Sequence, residues 1–170
     1  MLAEHSATAG RYAPAMTDTS EVASVERVIP AAPEKIFDLL ADPSRHQEID
    51  GSGTVRDAKT GSERVALGSK FGMSMKMGLP YSMTNTVIEF EENRRIAWKT
   101  VPSVSWGAKL GGGRIWRYEL EPVDGGTLVR ESWDISEEAG FSKRMVARGR
   151  KHTIENMEKT LARIEQVVTP

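Results

Sequence analysis

The chain has 170 residues, a net charge of −1 at pH 7 and no cysteine. That length suits one domain with a sizeable core. The charge balance gives no case for a nucleic-acid partner. The missing thiols exclude a disulfide frame, a cysteine nucleophile and Cys-ligated zinc. There is no uninterrupted apolar run of about 18 residues, so no transmembrane segment is expected.

Residues 1–20 are small and polar and lack the apolar stretch of a secretory signal. They read as a disordered N-terminal tail, with Met1 or Met16 as the native start. Residues 21–170 are then the folded domain, with a cytoplasmic location expected by default.

Glu21 to Ile29 reads as a first strand. Pro33 suits the first turn of a helix, and Ile36, Phe37 and Leu40 give that helix one apolar face. Asp42-Pro43 stops it, because the residue before a proline leaves the helical region. Ser44 to Glu48 adds a second short helical turn. From Thr54 the period changes to two. Thr54–Ala58 and Val65–Phe71 are expected strands. Next, Phe71, Met73, Met75, Met77, Leu79, Tyr81 and Met83 occupy alternate positions, and alternate residues of a strand share a face. A turn near Gly78 splits this run into two antiparallel strands. Thr84–Phe90, Ile96–Val101, Arg114–Pro122 and Thr127–Ile135 complete a sheet of about seven strands. Asp124-Gly125 is a strong hairpin signal. Trp116, Tyr118 and Leu120 alternate on one strand, and Val129, Glu131 and Trp133 on the next.

The chain ends in an expected long helix, Ser142 to Val168. Ile154, Met157, Leu161, Ile164 and Val168 recur every three or four residues and form its apolar stripe. Ser142 is the expected N-cap. Arg144, Arg148, Arg150, Lys151 and His152 crowd its first turns around Gly149. Two readings of that segment stand: a solvated surface, or a pocket entrance where Gly149 makes room for a ligand.

The order strand, two short helices, six strands and one long helix gives an α+β domain with helices on one face of a bent sheet. Its local signatures resemble the START-like, helix-grip superfamily, in its polyketide cyclase/dehydrase and lipid-transport branch (SRPBCC). The pieces are Ala32-Pro33-Glu34-Lys35-Ile36-Phe37 with Asp42-Pro43, Arg94-Arg95-Ile96-Ala97-Trp98, and Trp116 to Pro122. Gly126 to Trp133 and the C-terminal helix complete them, so the resemblance spans about residues 21–168. It implies a curved antiparallel sheet wrapped around the long helix, with an apolar cavity between them. Fold fixes the container and not the chemistry. At His46 to Ile49 many relatives carry a tryptophan that this chain lacks.

Methionines suit irregular apolar cavities and varied ligands. Met73, Met75, Met77 and Met83 are therefore candidate ligand contacts, with ordinary core as the alternative. Asn85, Glu131 and Tyr81 are the candidate polar groups among them. If the face of Val129 and Trp133 points inward, the Glu131 carboxyl sits in apolar surroundings and its pKa rises. The alternatives are an outward turn near Ser132, or an ion pair with Arg117 or Arg130. Trp116 and Trp133 are further ligand candidates, with Trp133 at the cavity floor. Trp106, before the Gly-rich segment Gly107 to Gly113, is expected on a lid at the rim, and Gly149 at the entrance.

His46, Glu48 and Asp50 alternate in a short stretch and offer acid–base or metal-binding groups. A turn role for Asp50 before Gly51 competes with that reading. No committed catalytic set, metal site or cofactor emerges; Glu131, His46 and Tyr81 are the catalytic candidates. The first functional expectation is binding of an apolar small molecule such as a lipid, polyketide or aromatic metabolite. The second is a polyketide aromatase/cyclase or dehydratase using acid–base residues in the same cavity. The third is a protein-interaction role for the basic face of the long helix.

Overall fold

The computed structural model describes residues 20–58, 64–77, 79–103 and 112–169. Its strands are β1 (Val22–Ile29), β2 (Val55–Ala58), β3 (Lys70–Met77), β4 (Leu79–Glu91), β5 (Arg95–Pro102), β6 (Arg114–Val123) and β7 (Gly126–Asp134). They form one sheet in the order β1-β7-β6-β5-β4-β3-β2, antiparallel throughout. The helices are α1 (Pro33–Leu40), α2 (His46–Ile49), α3 (Gly140–Ala147) and α4 (Arg150–Val168), with a 3₁₀ turn at Pro43–Arg45. This is a helix-grip α+β fold, in which the curved sheet holds the long helix α4.

α1 forms where expected. Pro33 opens it and Glu34 places a carboxylate in its first turn, where the helix dipole favours negative charge. Ile36, Phe37, Leu39 and Leu40 are all buried. The Phe37 and Phe90 rings meet edge to face at 5.2 Å. Asp42 starts the 3₁₀ turn by accepting from the Ser44 N–H at 3.0 Å.

The methionine run splits as expected. Met73 lies opposite Met83, Met75 opposite Tyr81 and Phe71 opposite Asn85, so these side chains share one face. Val65 to Ser69 is not part of the strand, which begins at Lys70. The Val65 N–H instead bonds the Ala41 carbonyl at 2.9 Å, tying this segment to the end of α1. Between β4 and β5 the register shifts between Val87 and Glu89. A bulge bends its strand and moves side chains to the other face. Residues 83, 85 and 87 are inward before it, and Phe90 is inward after it.

The expected single helix from Ser142 is two helices. α3 buries none of its side chains fully, and Val146 alone among them is a half-buried hydrophobic packed against the core. At the break the Gly149 N–H donates to Val146 three residues back at 2.9 Å. Gly149 is a weak helix former. Arg150 immediately after it is held by β1, its guanidinium donating to the Ser20 and Val22 carbonyls. Ser142 is not the N-cap; Ala139 is. The Ser142 hydroxyl instead lies within hydrogen-bond reach of the Ala139 carbonyl and the Glu138 carboxylate. In α4 the expected stripe is real, with Met157, Leu161 and Ile164 buried.

Candidate functional site

The inward faces of β3 to β7 and one side of α4 enclose a pocket of about 270 Å³. Met73, Met75, Tyr81 and Met83 line it from the β3–β4 hairpin. Trp98 and Thr100 line it from β5, Arg114, Trp116 and Tyr118 from β6, and Glu131 from β7. α4 adds His152, Thr153, Asn156, Met157 and Thr160. His46, Ile49 and Asp50 close it from the α2 side.

Glu131 is only 2% exposed. Its Oε1 accepts from the Tyr118 hydroxyl at 2.8 Å, and its Oε2 has no partner. The ion pairs weighed for it do not form. Arg117 binds Glu89 at 2.6 Å and Arg130 binds Glu26, and both arginines have the opposite strand parity. Burial pushes the Glu131 carboxyl up to about 8; the Tyr118 hydrogen bond opposes the rise and Asp50 adds to it. Burial, followed by the charge and hydrogen bond of Glu131, holds the Tyr118 phenol well above its ordinary value.

His46 is also buried. Its Nε2 lies 2.8 Å from the Leu40 carbonyl, which can only accept, so Nε2 carries the proton. Its ring stacks on Trp98 with centroids 5.2 Å apart and meets the edge of Phe71. Burial lowers its pKa, so the ring is held neutral with Nδ1 as an acceptor. Asn85 is buried, its Oδ1 accepting from the Thr100 hydroxyl at 2.6 Å. Tyr81 is 39% exposed at the pocket's edge.

The other candidates fall elsewhere. Trp133 is buried and is not among the pocket-lining residues; it lies opposite Trp116 in the β6–β7 ladder. Gly149 is at the α3–α4 break and does not line the pocket, and a Cβ there would meet only the Val146 carbonyl oxygen at 3.3 Å. Trp106 with its expected lid, and the Met77 side chain, lie outside the described residues. Glu48 pairs with Arg45 at 2.9 Å. Asp50 accepts from the Ser52 and Val55 N–H groups at 2.9 and 2.8 Å, which is the turn role. His46, Glu48 and Asp50 therefore do not converge, and among the described residues no three His, Asp or Glu are grouped to hold a metal ion.

Sequence reasoning missed Tyr118 as the partner of Glu131, Trp98 as the support of His46, and Arg114. Arg114 lines the pocket and pairs with Glu138 at 3.2 Å. The basic segment is divided. Lys143 pairs with Glu21 and Arg150 is spent on β1, whereas Arg144, Arg148 and Lys151 have no ion-pair partner among the described residues. On the same helix Phe141 is 86% exposed and Met145 57%.

A curved antiparallel sheet gripping a C-terminal helix, with an apolar-lined pocket between them, defines a helix-grip protein with room for a small molecule. The family described as polyketide cyclase / dehydrase and lipid transport matches residues 21–169, and the chain belongs to it. An uncharacterized protein of Mycobacterium tuberculosis, Rv0088, is 40% identical over 113 residues, which are 65% of this chain and 45% of that protein. The chain thus aligns with under half the length of that curated relative. The fold is similar to the solution structure of a protein from Arthrobacter aurescens, with TM-score 0.71 and 13% identity over 92% of this chain and 91% of that one. It is also similar to the ginseng major latex-like protein 151 from Panax ginseng, with TM-score 0.64 and 12% identity over 88% and 97% of the two chains. No described helix is long and apolar enough to cross a membrane.

Proposed function

We propose that the protein is a cytoplasmic binder of a compact apolar molecule, which it sequesters or carries in the pocket between the sheet and α4. The observation behind this reading is the pocket lining. Methionine and aromatic side chains from both halves of the sheet converge on α4, with a few buried polar groups among them. Ligand sites have that composition. Membership of a family described by cyclisation, dehydration and lipid transport supports a small-molecule ligand. At about 270 Å³ the pocket is at the small end of ligand sites. That size favours a ring system or a short chain over a long-chain lipid. Native mass spectrometry and displacement of a fluorescent apolar probe test the reading. Uptake is expected in the native chain and should be lost in Met75→Trp, which fills the pocket. Absence of uptake across a panel of apolar probes sinks it.

A cyclase or dehydratase activity is the second reading, because His46, Tyr81 and Glu131 all line this one pocket. General acid–base chemistry needs such groups within reach of one substrate. It predicts a turnover that Glu131→Gln and His46→Gln each abolish while probe binding persists. An interaction role for the basic segment has the exposed Phe141 and Met145 beside Arg144 and Arg148 in its favour. It predicts partner binding that salt weakens and that reversing the charge of Arg144 and Arg148 removes.

A further inference from the structure

Glu131 is one of the few polar groups deep in the pocket whose hydrogen-bonding capacity is not used within the chain. We propose that Glu131, backed by Tyr118, is a hydrogen-bond-donating station for the carbonyl oxygen of a compact ketone, so that the ligand class is a ring system bearing an oxo group. This rests on the pocket being a ligand site.

The hydrogen bonding within the chain decides which carboxyl oxygen is left for a ligand. The Tyr118 hydroxyl occupies Oε1, leaving Oε2 buried and without a partner. A carboxylate there has no cation to compensate it. Arg117 and Arg130 are on the other face of the sheet, bound to Glu89 and Glu26, and Arg114 is engaged by Glu138. A buried, unpaired charge is the costliest arrangement for a carboxyl, and the group neutralises instead. With Oε1 accepting from Tyr118, the proton of the neutral acid resides on Oε2. The chain Tyr118 O–H to Oε1 and Oε2–H to ligand is then continuous, and linked hydrogen bonds polarise one another.

Two of the buried polar neighbours are already engaged within the chain. Asn85 is bound to Thr100, and the Nε2 proton of neutral His46 is given to the Leu40 carbonyl. The titratable and charged groups that line the pocket with Glu131 are Tyr81 on β4, Tyr118 and Arg114 on β6, His46 and Asp50 from the α2 segment, and His152 on α4. β1 contributes none there, since the register partner of Glu131 on that strand is Val25. A neutral carboxyl donor beside methionine and aromatic walls suits a ketone oxygen, which only accepts. Its upward-shifted pKa keeps Glu131 a donor at neutral pH.

The test compares 1-tetralone with tetralin, the same carbon skeleton without oxygen, by NMR titration of the full chain at pH 6.5 and 9.5. At pH 6.5 tetralone should bind roughly tenfold tighter, the worth of one hydrogen bond to an otherwise unpaired buried group. At pH 9.5 that preference should vanish, because ionised Glu131 has no proton to donate. Glu131→Gln keeps an N–H donor and an oxygen for Tyr118, so its preference should persist at both pH values. Glu131→Leu should show none at either. Equal binding of the two probes by the native chain at pH 6.5, or a preference unchanged at pH 9.5, overturns the donor assignment and leaves the pocket standing. Binding of neither probe overturns the pocket reading and the donor assignment together. The comparison within the native chain requires no variant to fold.

Discussion

The backbone N–H of Gly51 donates to the hydroxyl of Thr160 at 3.0 Å, and the two residues touch so closely that residue 51 has no room for a side chain. A Cβ there would lie 2.6 Å from the Thr160 nitrogen and 2.1 Å from the Asn156 carbonyl oxygen. Both are rigid helix backbone. The loop after α2 is thereby seated on α4, beside two residues that line the pocket. Gly51→Ala should destabilise the fold by about 1–3 kcal/mol, the usual range for overpacking. Thr160→Val keeps the volume but strips the Gly51 N–H of its acceptor, with a similar expected cost of about 1–3 kcal/mol. Urea denaturation measures both, and a neutral Gly51→Ala would show that α4 can move away freely.

The two tryptophans that face each other across β6 and β7 should behave differently. Trp133 is fully buried and outside the pocket lining, and Trp133→Ala should cost about 3–5 kcal/mol. Trp116 is half-buried on the pocket wall. Trp116→Ala should cost roughly half as much, in line with the smaller area it removes from water, and should change probe uptake instead. Chemical denaturation beside a binding titration separates the roles. Equal destabilisation with unchanged uptake would make Trp116 simple core.

Glu131 and His46 give the stability curve two opposed slopes. Glu131 is protonated in the folded state up to about pH 8 but ionises near 4.5 in the unfolded chain, so unfolding releases a proton between these values. Its contribution is fully present below the unfolded pKa and is lost as pH rises towards 8, on the order of 5 kcal/mol by linkage. His46 is the reverse. Its folded pKa lies below the unfolded value, so stability falls as pH drops through about 6.5, where the unfolded imidazole takes up a proton. Denaturation midpoints from pH 5 to 9 should therefore fall at the alkaline end in the native chain and much less in Glu131→Gln. An unchanged alkaline limb in that variant would mean Glu131 titrates normally.

Arg150 couples the start of α4 to the start of β1. Replacing it by Met preserves much of the volume and takes the guanidinium donors from the Ser20 and Val22 carbonyls, the latter keeping the Ser20 hydroxyl at 2.9 Å. A loss of about 1–3 kcal/mol is expected, with faster hydrogen exchange at the beginning of β1. Arg150→Lys should recover only part, since one ammonium does not reproduce the guanidinium fork.

Much of this arrangement is written in local patterns. The Asp124-Gly125 turn does more than announce a hairpin. Counting outward from it places Tyr118 opposite Glu131 and Trp116 opposite Trp133, as the ladder has them. The Tyr118–Glu131 pair was thus within reach of the sequence. The Trp98 contact was not, because the bulge between Val87 and Glu89 shifts the β4–β5 register by one residue and no residue type marks it. The stack of His46 on Trp98 and the seat of Gly51 on Thr160 join segments far apart in the chain, which periodicity does not relate. The split between α3 and α4 was half visible: Gly149 was conspicuous, but the hold of Arg150 on β1 depends on tertiary position.

The strand order has a consequence for how the chain is made. β1 and β7 are sheet neighbours, yet their partner residues lie about a hundred positions apart. At a synthesis rate of about 5–20 residues per second, the first strand waits on the order of 5–20 seconds for its mate to leave the ribosome. α4, which covers β1, is later still. During that interval β1 is an open edge, the kind of surface on which other chains add strands. The β3–β4 and β6–β7 hairpins can close as they emerge, whereas the grip on α4 is assembled only once that helix has itself been made.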